Sequence, residues 1–401
     1  MGSVTSTWQE PLPAAAATAT PAQAAARTRL KSIDALRGFV MVVMLLDHVR
    51  ENWFLYMQVS DPVDALTTSP GLFFTRLAST ICAPVFIVLT GLSAYLYNRS
   101  HGPRDTAAFL VKRGLFLMAV DVLIITPAWT VKMPPTIWLQ VIWCIGICML
   151  ALAALMRLPR GALFALGLAI VCGHNLLDGI RLAPGDTWFV PWAMLHQRDL
   201  IALPFGAVAR TSYPVLPWIG VIALGYCLGP WFDRSVDALV RQRRLLLLGA
   251  GMIAAFVVLR ALNVYGDKPW VQTGDSLRTV MSFLALTKYP PSLLFLLPTL
   301  GAGAILLALF ERAEDASWVR VLAVVGGAAM FFYIMHMYVL RALYHGAYAI
   351  YGPDHGTVFG VDSLAWVWAW YLALWVPLYL PTAWYSRLKA RRRDIAWLKY
   401  L

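Results

Sequence analysis

The chain alternates long apolar runs with short polar segments. Ten runs have about the 20 residues that a helix needs to cross the hydrocarbon core of a bilayer. They lie at 33–50, 72–97, 108–127, 136–156, 161–176, 213–231, 244–263, 290–310, 320–342 and 363–386. The pattern predicts an all-α integral membrane protein with about ten transmembrane helices.

The polar segments predict how the chain is divided. Residues 1–28 are rich in Ala, Thr, Pro and Gln and lack the apolar core of a signal peptide, so they predict a disordered cytoplasmic tail. Residues 29–388 then form the transmembrane domain, and 389–401 form a basic cytoplasmic tail. The longer connections 177–212 and 264–289 contain Trp, Pro and charges, and we expect caps or re-entrant pieces there.

Composition excludes a soluble protein. The chain is 60% hydrophobic and only 13% charged, whereas soluble domains carry about 25% charged residues. The net charge of +12 does not indicate nucleic acid, because such a partner needs basic residues on a solvated surface. With the N-terminus inside, 21 of the 33 Lys and Arg residues fall on the cytoplasmic side, nine outside and three within runs. This excess predicts that both termini are cytoplasmic.

The five cysteines indicate neither a disulfide framework nor a zinc site. Their number is odd, all lie in apolar runs, and no CxxC pair occurs. We therefore expect no metal.

Ionisable residues inside apolar runs are the candidates for chemistry. Each costs about 2.5–3.5 kcal/mol on insertion scales for Arg, Lys or Asp, and such residues usually face a bundle interior or a cavity. The set is Arg37, Asp47, His48, Arg76, Asp121, His174, Arg260 and His336. Simpler interpretations stay open for several of them. Arg76 and Arg260 lie near outer ends and can snorkel, Asp121 can form a structural ion pair, and His174 and His336 can be interfacial or interior histidines.

The first run carries the most informative spacing. Arg37 and His48 are eleven residues apart, which is about 16 Å along a helix, and they project from one face. Arginine forms paired hydrogen bonds with phosphates, and histidine accepts protons near neutral pH. Asp47 is adjacent to His48 but lies about 100° away around the helix, so it need not orient the ring. A helix that merely has polar residues at both interfaces is the alternative.

Several strings resemble a known family. The Asp34-x-x-Arg37-Gly38 start with Arg37-x10-His48 resembles the acyltransferase-3 proteins. Residues 29–48, RLKSIDALRGFVMVVMLLDH, are still more similar to the heparan-alpha-glucosaminide N-acetyltransferase branch and its bacterial relatives. Further supporting strings are TRLASTICAPVFIVLTGLSAYL (75–96), HNLLDGI (174–180), YPVLPWIGVIALGYCLG (213–229), LTKYPPSLLFLLPTLG (286–301) and FFYIMHMYVLRAL (331–343).

The resemblance implies a pore-like helical bundle in a bacterial inner membrane, with a homodimer plausible. Acyl-CoA, in particular acetyl-CoA, would enter from the cytoplasm, and the acyl group would pass to a sugar hydroxyl or amine outside. His48 would be the catalytic histidine, with Asp47 beside it as the second catalytic candidate. Arg37 would contact the CoA phosphates, and Asp34 belongs to the same motif.

The resemblance also implies secondary sites. Lys112 and Arg113 are weaker candidates for the CoA head. The residues expected to line the central or outer cavity are Arg76, Asp121, His174, Asp178 and His336.

Two positions depart from the family pattern. Residues 51–71 contain no histidine, where lysosomal members have one in the first lumenal loop, and Thr80 stands where close bacterial relatives often have histidine. General-base catalysis by His48 and an acyl-histidine intermediate both stay open. A transporter of a small polar or anionic solute is the alternative function, although the sequence shows no internal repeat. A non-catalytic scaffold gives no reason for the spaced Arg and His.

Overall fold

A computed structural model describes residues 30–129, 134–392, 394–395 and 398, and helices dominate it. The predicted tail at 1–28 lies outside the described residues. The α-helices are α1 (Lys31–Trp53), α2 (Pro70–Ala78), α3 (Cys82–His101), α4 (Pro103–Val120), α5 (Thr126–Trp129), α6 (Val141–Leu155), α7 (Arg160–Gly173), α8 (Phe189–Leu195), α9 (Leu216–Leu228), α10 (Ala238–Leu262), α11 (Ser276–Leu284), α12 (Leu293–Arg312), α13 (Ser317–Gly327), α14 (Ala329–Tyr351) and α15 (Leu364–Arg391).

Several of these helices are long and apolar enough to cross a membrane. Among the described residues they are Pro70–His101, Arg160–Leu177, Ala238–Leu262, Leu293–Arg312 and Leu364–Arg391, with α13 and α14 as a sixth if the bent pair is one span. The apolar helices Val141–Leu155 and Leu216–Phe232 are shorter. The protein is therefore a multi-pass helical membrane protein. The number ten and the cytoplasmic termini stay predictions.

A small sheet lies where the sequence predicts helix and connection. Its strands are β1 (Thr136–Leu139), β2 (Leu200–Ala202) and β3 (Val208–Thr211), in the order β1-β3-β2, with β1 parallel and β2 antiparallel to β3. The predicted fourth run was wrong at its start, because 136–139 is strand. Pro134 and Pro135 lack the N–H groups that a helix needs, and the β-branched and aromatic side chains that follow favour a strand.

The predicted third run, 108–127, is irregular near its C-terminal end. Between α4 and α5 the backbone forms a π-helical turn over Asp121–Ile125. Such wide turns occur mostly as single insertions within α-helices and are frequent at functional sites. Asp121 begins this turn and is fully buried.

The predicted ninth run, 320–342, is not one straight helix. It is divided at Ala328, and α13 and α14 meet at 80°. Two consecutive glycines, Gly326 and Gly327, end α13, and glycine weakens a helix because it has the most backbone freedom to lose. The break directs α14 away from α13.

The close contact of α13 with α1 explains two glycines. A Cβ at Gly38 would overlap the Leu322 carbonyl, and one at Gly326 would overlap the Asp34 carbonyl. Small residues at such a crossing let two backbones approach closely. The contact fixes α13 against the N-terminal part of α1. Helix α14 begins just after the end of α13, so the same contact also positions its start.

The last helix extends into the segment predicted as the basic tail. Helix α15 continues to Arg391, so residues 389–391 of the predicted tail are helical. Most of the remaining tail lies outside the described residues.

Candidate active site

Two histidines from distant parts of the chain meet at the C-terminal part of α1. His48 Nδ1 lies 2.7 Å from His336 Nε2 of α14, and the ring planes are 16° apart. His336 Nδ1 lies 2.7 Å from the carbonyl oxygen of Phe332. His336 is fully buried and His48 is 8% exposed. The two rings and the carbonyl form one hydrogen-bonded chain.

This series of hydrogen bonds fixes the tautomers of the two neutral imidazole rings. A carbonyl oxygen only accepts, so His336 Nδ1 carries a proton and donates it to Phe332. His336 Nε2 is then an acceptor, and His48 Nδ1 must donate to it. The lone pair of neutral His48 is therefore on Nε2, which makes no hydrogen bond to any residue that the structure describes. This atom can accept a proton or attack an electrophile.

Aromatic rings surround His48. Trp129 lies 5.5 Å away with its ring at 88°, and Tyr333 lies 5.8 Å away at 69°. These near-perpendicular contacts are the favoured geometry for aromatic pairs. They restrict the orientation of the imidazole and exclude water from its sides.

Asp47 has other partners than His48. Its carboxylate accepts from Arg50 at 2.9 Å and also pairs with Arg76 of α2. Arg50 in turn lies 3.2 Å from Glu51. Asp47 was predicted beside the catalytic histidine, and the structure places its carboxylate in this ion cluster because adjacent helix positions face different directions.

In the ion cluster of Asp47, Arg50, Glu51 and Arg76, Glu51 is 24% exposed and the other three side chains are buried. With both carboxylates ionised, the four charges sum to zero. Arg50 is 1% exposed and Arg76 is 7% exposed. Arg76 therefore does not snorkel towards water, and it also donates to Ser79 at 3.1 Å. Removing one member of such a cluster leaves an uncompensated buried charge.

Arg37 lies in the N-terminal part of α1 and is held by α1 and α3. It donates to Asp34 at 3.1 Å, to the Leu89 carbonyl at 3.4 Å and to Ser93. Its side chain is 22% exposed. The guanidinium is therefore held in one orientation and is still accessible to a ligand. On α4, Lys112 is exposed and Arg113 lies over the Phe109 ring at 6.0 Å.

The predicted cavity residues divide between different places. Arg76 joins the ion cluster and His336 joins His48. Asp121 accepts from the Gln140 backbone N–H at 3.0 Å and forms no ion pair within the described residues. His174 and Asp178 lie together in another cluster with His196, at 3.3 Å and 3.6 Å from its Nε2.

The sequence interpretation missed Lys288, which follows a short connection in LTKYPPS. Lys288 is 6% exposed, and its ammonium lies over the Tyr289 and Tyr213 rings at 5.2 and 6.0 Å. The backbone N–H groups of Lys288 and Tyr289 donate to Asp61 at 3.1 and 2.9 Å. Burial raises the pKa of the Asp61 carboxyl, and these donors oppose the shift. The sequence signal that could have identified Lys288 was a single lysine just before the apolar run at 290–310.

The fold and the site define a multi-pass helical membrane protein with a buried histidine pair at one end of a helix and an oriented arginine at the other. Residues 29–268 match the family model described as heparan-alpha-glucosaminide N-acetyltransferase, catalytic. The chain therefore belongs to this family, as its motifs predicted. The match includes Arg37 and His48 and ends before Lys288 and His336. A search of curated proteins finds no match.

Proposed function

We propose that the protein is a transmembrane acyltransferase that moves an acetyl group from cytoplasmic acetyl-CoA to an extracytoplasmic sugar hydroxyl or amine. Membership of an N-acetyltransferase family supports the reaction class. The observation that carries the mechanism is the hydrogen-bonded chain from His48 through His336 to Phe332. We also propose a bacterial inner membrane, with both termini cytoplasmic.

His48 acts through Nε2. In direct transfer, the acceptor oxygen or nitrogen bonds to the thioester carbonyl carbon, and its proton moves to His48 Nε2. The carbon–sulfur bond then breaks, and the imidazolium returns the proton to the CoA thiolate. In the two-step route, the same lone pair attacks the thioester carbonyl carbon, and the carbon–sulfur bond breaks to release the CoA thiolate. The acceptor oxygen or nitrogen then attacks the acyl-histidine, the bond to Nε2 breaks, and the acceptor's proton neutralises the thiolate. Both routes need the tautomer that His336 holds.

Arg37 binds the CoA phosphates. Its planar guanidinium suits paired contacts with phosphate oxygens, and Asp34 and Ser93 hold it in place. Lys112 and Arg113 add positive charge for the same anionic donor. Asp47 acts as a positioning residue, because its ion cluster fixes the part of α1 that carries His48.

Lys288 and the tyrosines beside it belong to the acceptor side of the proposal. A buried ammonium over two aromatic rings offers positive charge and hydrogen-bond donors to a polar acceptor. Residues in this region select the acceptor, whereas Arg37 selects the donor.

The test uses the full-length protein in liposomes, with radiolabelled acetyl-CoA outside and glucosamine inside as the acceptor probe. His48→Ala is expected to lower transfer about 10²–10⁴-fold, the usual contribution of an acid–base group. His101→Ala, at an exposed histidine, is the matched control. Full activity of folded His48→Ala would overturn the assignment. Glucosamine movement without consumption of acetyl-CoA would favour the transporter instead.

A further inference from the structure

A second group of potential ligands lies outside the proposed active site. His174 begins the 3-10 turn that follows α7, Asp178 comes directly after that turn, and His196 follows α8. One ligand atom from each residue lies within 4.8 Å of the other two. His174 and Asp178 are four residues apart along the chain, one at the first residue of this turn and one just after its last.

The distances between ligand atoms fit a small tetrahedral cation. Zinc–nitrogen bonds of about 2.0–2.1 Å in a tetrahedral site put neighbouring ligand atoms about 3.3–3.4 Å apart. His196 Nε2 lies 3.3 Å from His174 Nδ1 and 3.6 Å from Asp178 Oδ1. Two of the three distances in the cluster are therefore close to the edges of such a site, and the third is within 4.8 Å.

Surrounding residues fix the orientation of the ligands. Asn175 Nδ2 donates to Asp178 Oδ2 at 2.9 Å, and the side-chain oxygen Oδ1 of Asn175 accepts from the Leu293 N–H at 2.9 Å. The Trp192 ring stacks on His196 at 5.3 Å and donates to the Ile180 carbonyl at 3.0 Å. Hydrogen bonds and packing of this kind orient metal ligands in proteins.

The cluster is incomplete as a hydrogen-bond network. His174 and His196 are 2% and 3% exposed. His174 Nε2 is buried and has no hydrogen-bond partner among the residues that the structure describes. The ring meets His196 through its other nitrogen, Nδ1, which is the atom available to a shared cation. Asp178 is 48% exposed, which gives a cation and its water access from one side.

We propose that His174, Asp178 and His196 bind one divalent transition-metal cation of the zinc class, with water as the fourth ligand on the side of Asp178. Two imidazoles and one carboxylate are a normal donor set for this ion. The cation ties the end of α7 to the segment after α8. The proposal does not depend on the acyltransferase function, and it goes beyond the sequence expectation, which weighed the cysteines for zinc.

The experiment measures metal in the full-length protein, purified on an affinity tag without histidine, equilibrated with Zn²⁺ and dialysed. Elemental analysis is expected to find one zinc per chain in the wild type and in His355→Ala, a control at a histidine paired with Asp354. His174→Ala and His196→Ala are expected to lose it. Asp178 is exposed, so Asp178→Asn should disturb the fold less than the histidine substitutions. This variant is expected to weaken Zn²⁺ binding at least tenfold.

A second readout keeps the proposal falsifiable if a histidine variant fails to fold. Chelation of the wild type is expected to lower the unfolding temperature, and Zn²⁺ but not Mg²⁺ is expected to restore it. A wild type that retains no zinc would overturn the proposal. Zinc retained equally by Asp178→Asn and the wild type, with equal affinity, would also overturn it.

Discussion

The molecule contains two histidine pairs with similar burial and different surroundings. In one, His48 and His336 are 288 residues apart in sequence and 2.7 Å apart in space. In the other, His174 and His196 are 22 residues apart and lie at 3.3 Å. The first pair ends on a backbone carbonyl, whereas the second has the Asp178 carboxylate at 3.6 Å.

The difference shows how the third group decides the chemistry of a histidine pair. A carbonyl oxygen can only accept a hydrogen bond, so it sets the tautomers of His336 and His48 and leaves the basic nitrogen Nε2 of His48 at the end of the hydrogen-bonded chain. A carboxylate adds negative charge, which favours a cation between the ligands. We therefore assign proton transfer or nucleophilic attack to the first pair and metal binding to the second.

Breaking the first pair gives the largest expected effect. His336→Ala leaves the His48 Nδ1–H buried without an acceptor and frees the ring, so kcat for acetyl transfer should fall about 10²–10⁴-fold. Zinc content should not change. His336→Gln keeps an acceptor oxygen and should recover part of kcat. Wild-type kcat in His336→Ala would contradict the assigned tautomers.

Asp47→Ala tests what supports His48 from its own helix. The substitution leaves Arg50 and Arg76 buried with less negative charge nearby, and breaking such a cluster costs about 3–5 kcal/mol of stability. The free energy of unfolding in detergent, or the unfolding temperature, measures this loss. Asp105→Ala, at an exposed aspartate, is the control. Equal stability of the two variants would show that the ion cluster does not support the site.

Arg37→Ala separates donor binding from the chemistry of the histidine pair. Charged hydrogen bonds contribute about 1.5–3 kcal/mol, so the KM for acetyl-CoA should rise about 10–100-fold while kcat changes less. Arg104→Ala, at an exposed arginine of α4, is the matched control. A loss in kcat with unchanged KM would instead assign Arg37 to the chemical step.

Gly38→Ala tests the long-range placement of His336, and its expected effect is the smallest. The added methyl group meets the Leu322 carbonyl of α13, and overpacking of this kind costs about 1–3 kcal/mol. The unfolding temperature should fall, with kcat reduced because α14 begins directly after α13. Gly251→Ala meets nothing within 4 Å and should be stable. Equal unfolding temperatures would contradict the close packing of α1 and α13.

The helical class and the positions of Arg37 and His48 could be predicted from sequence, because both depend on local periodicity. The partner of His48 could not, since no local pattern links residues 288 positions apart. The same holds for Asp47, whose second arginine belongs to α2. The interruptions of the predicted helices differ in the sequence signal that they leave. Two prolines before β1 mark the first interruption, although the run at 136–156 was predicted as helix. Gly326 and Gly327 lie inside an otherwise continuous apolar run and give a weaker signal.

The neutral ion cluster also determines how this membrane protein can move. Arg76, in the last turn of α2, pairs directly with Asp47 of α1. Sliding one helix past the other would separate opposite charges in a medium that hardly screens them. The cluster therefore resists relative movement of the C-terminal part of α1 and the end of α2, and the position of His48 is held with them.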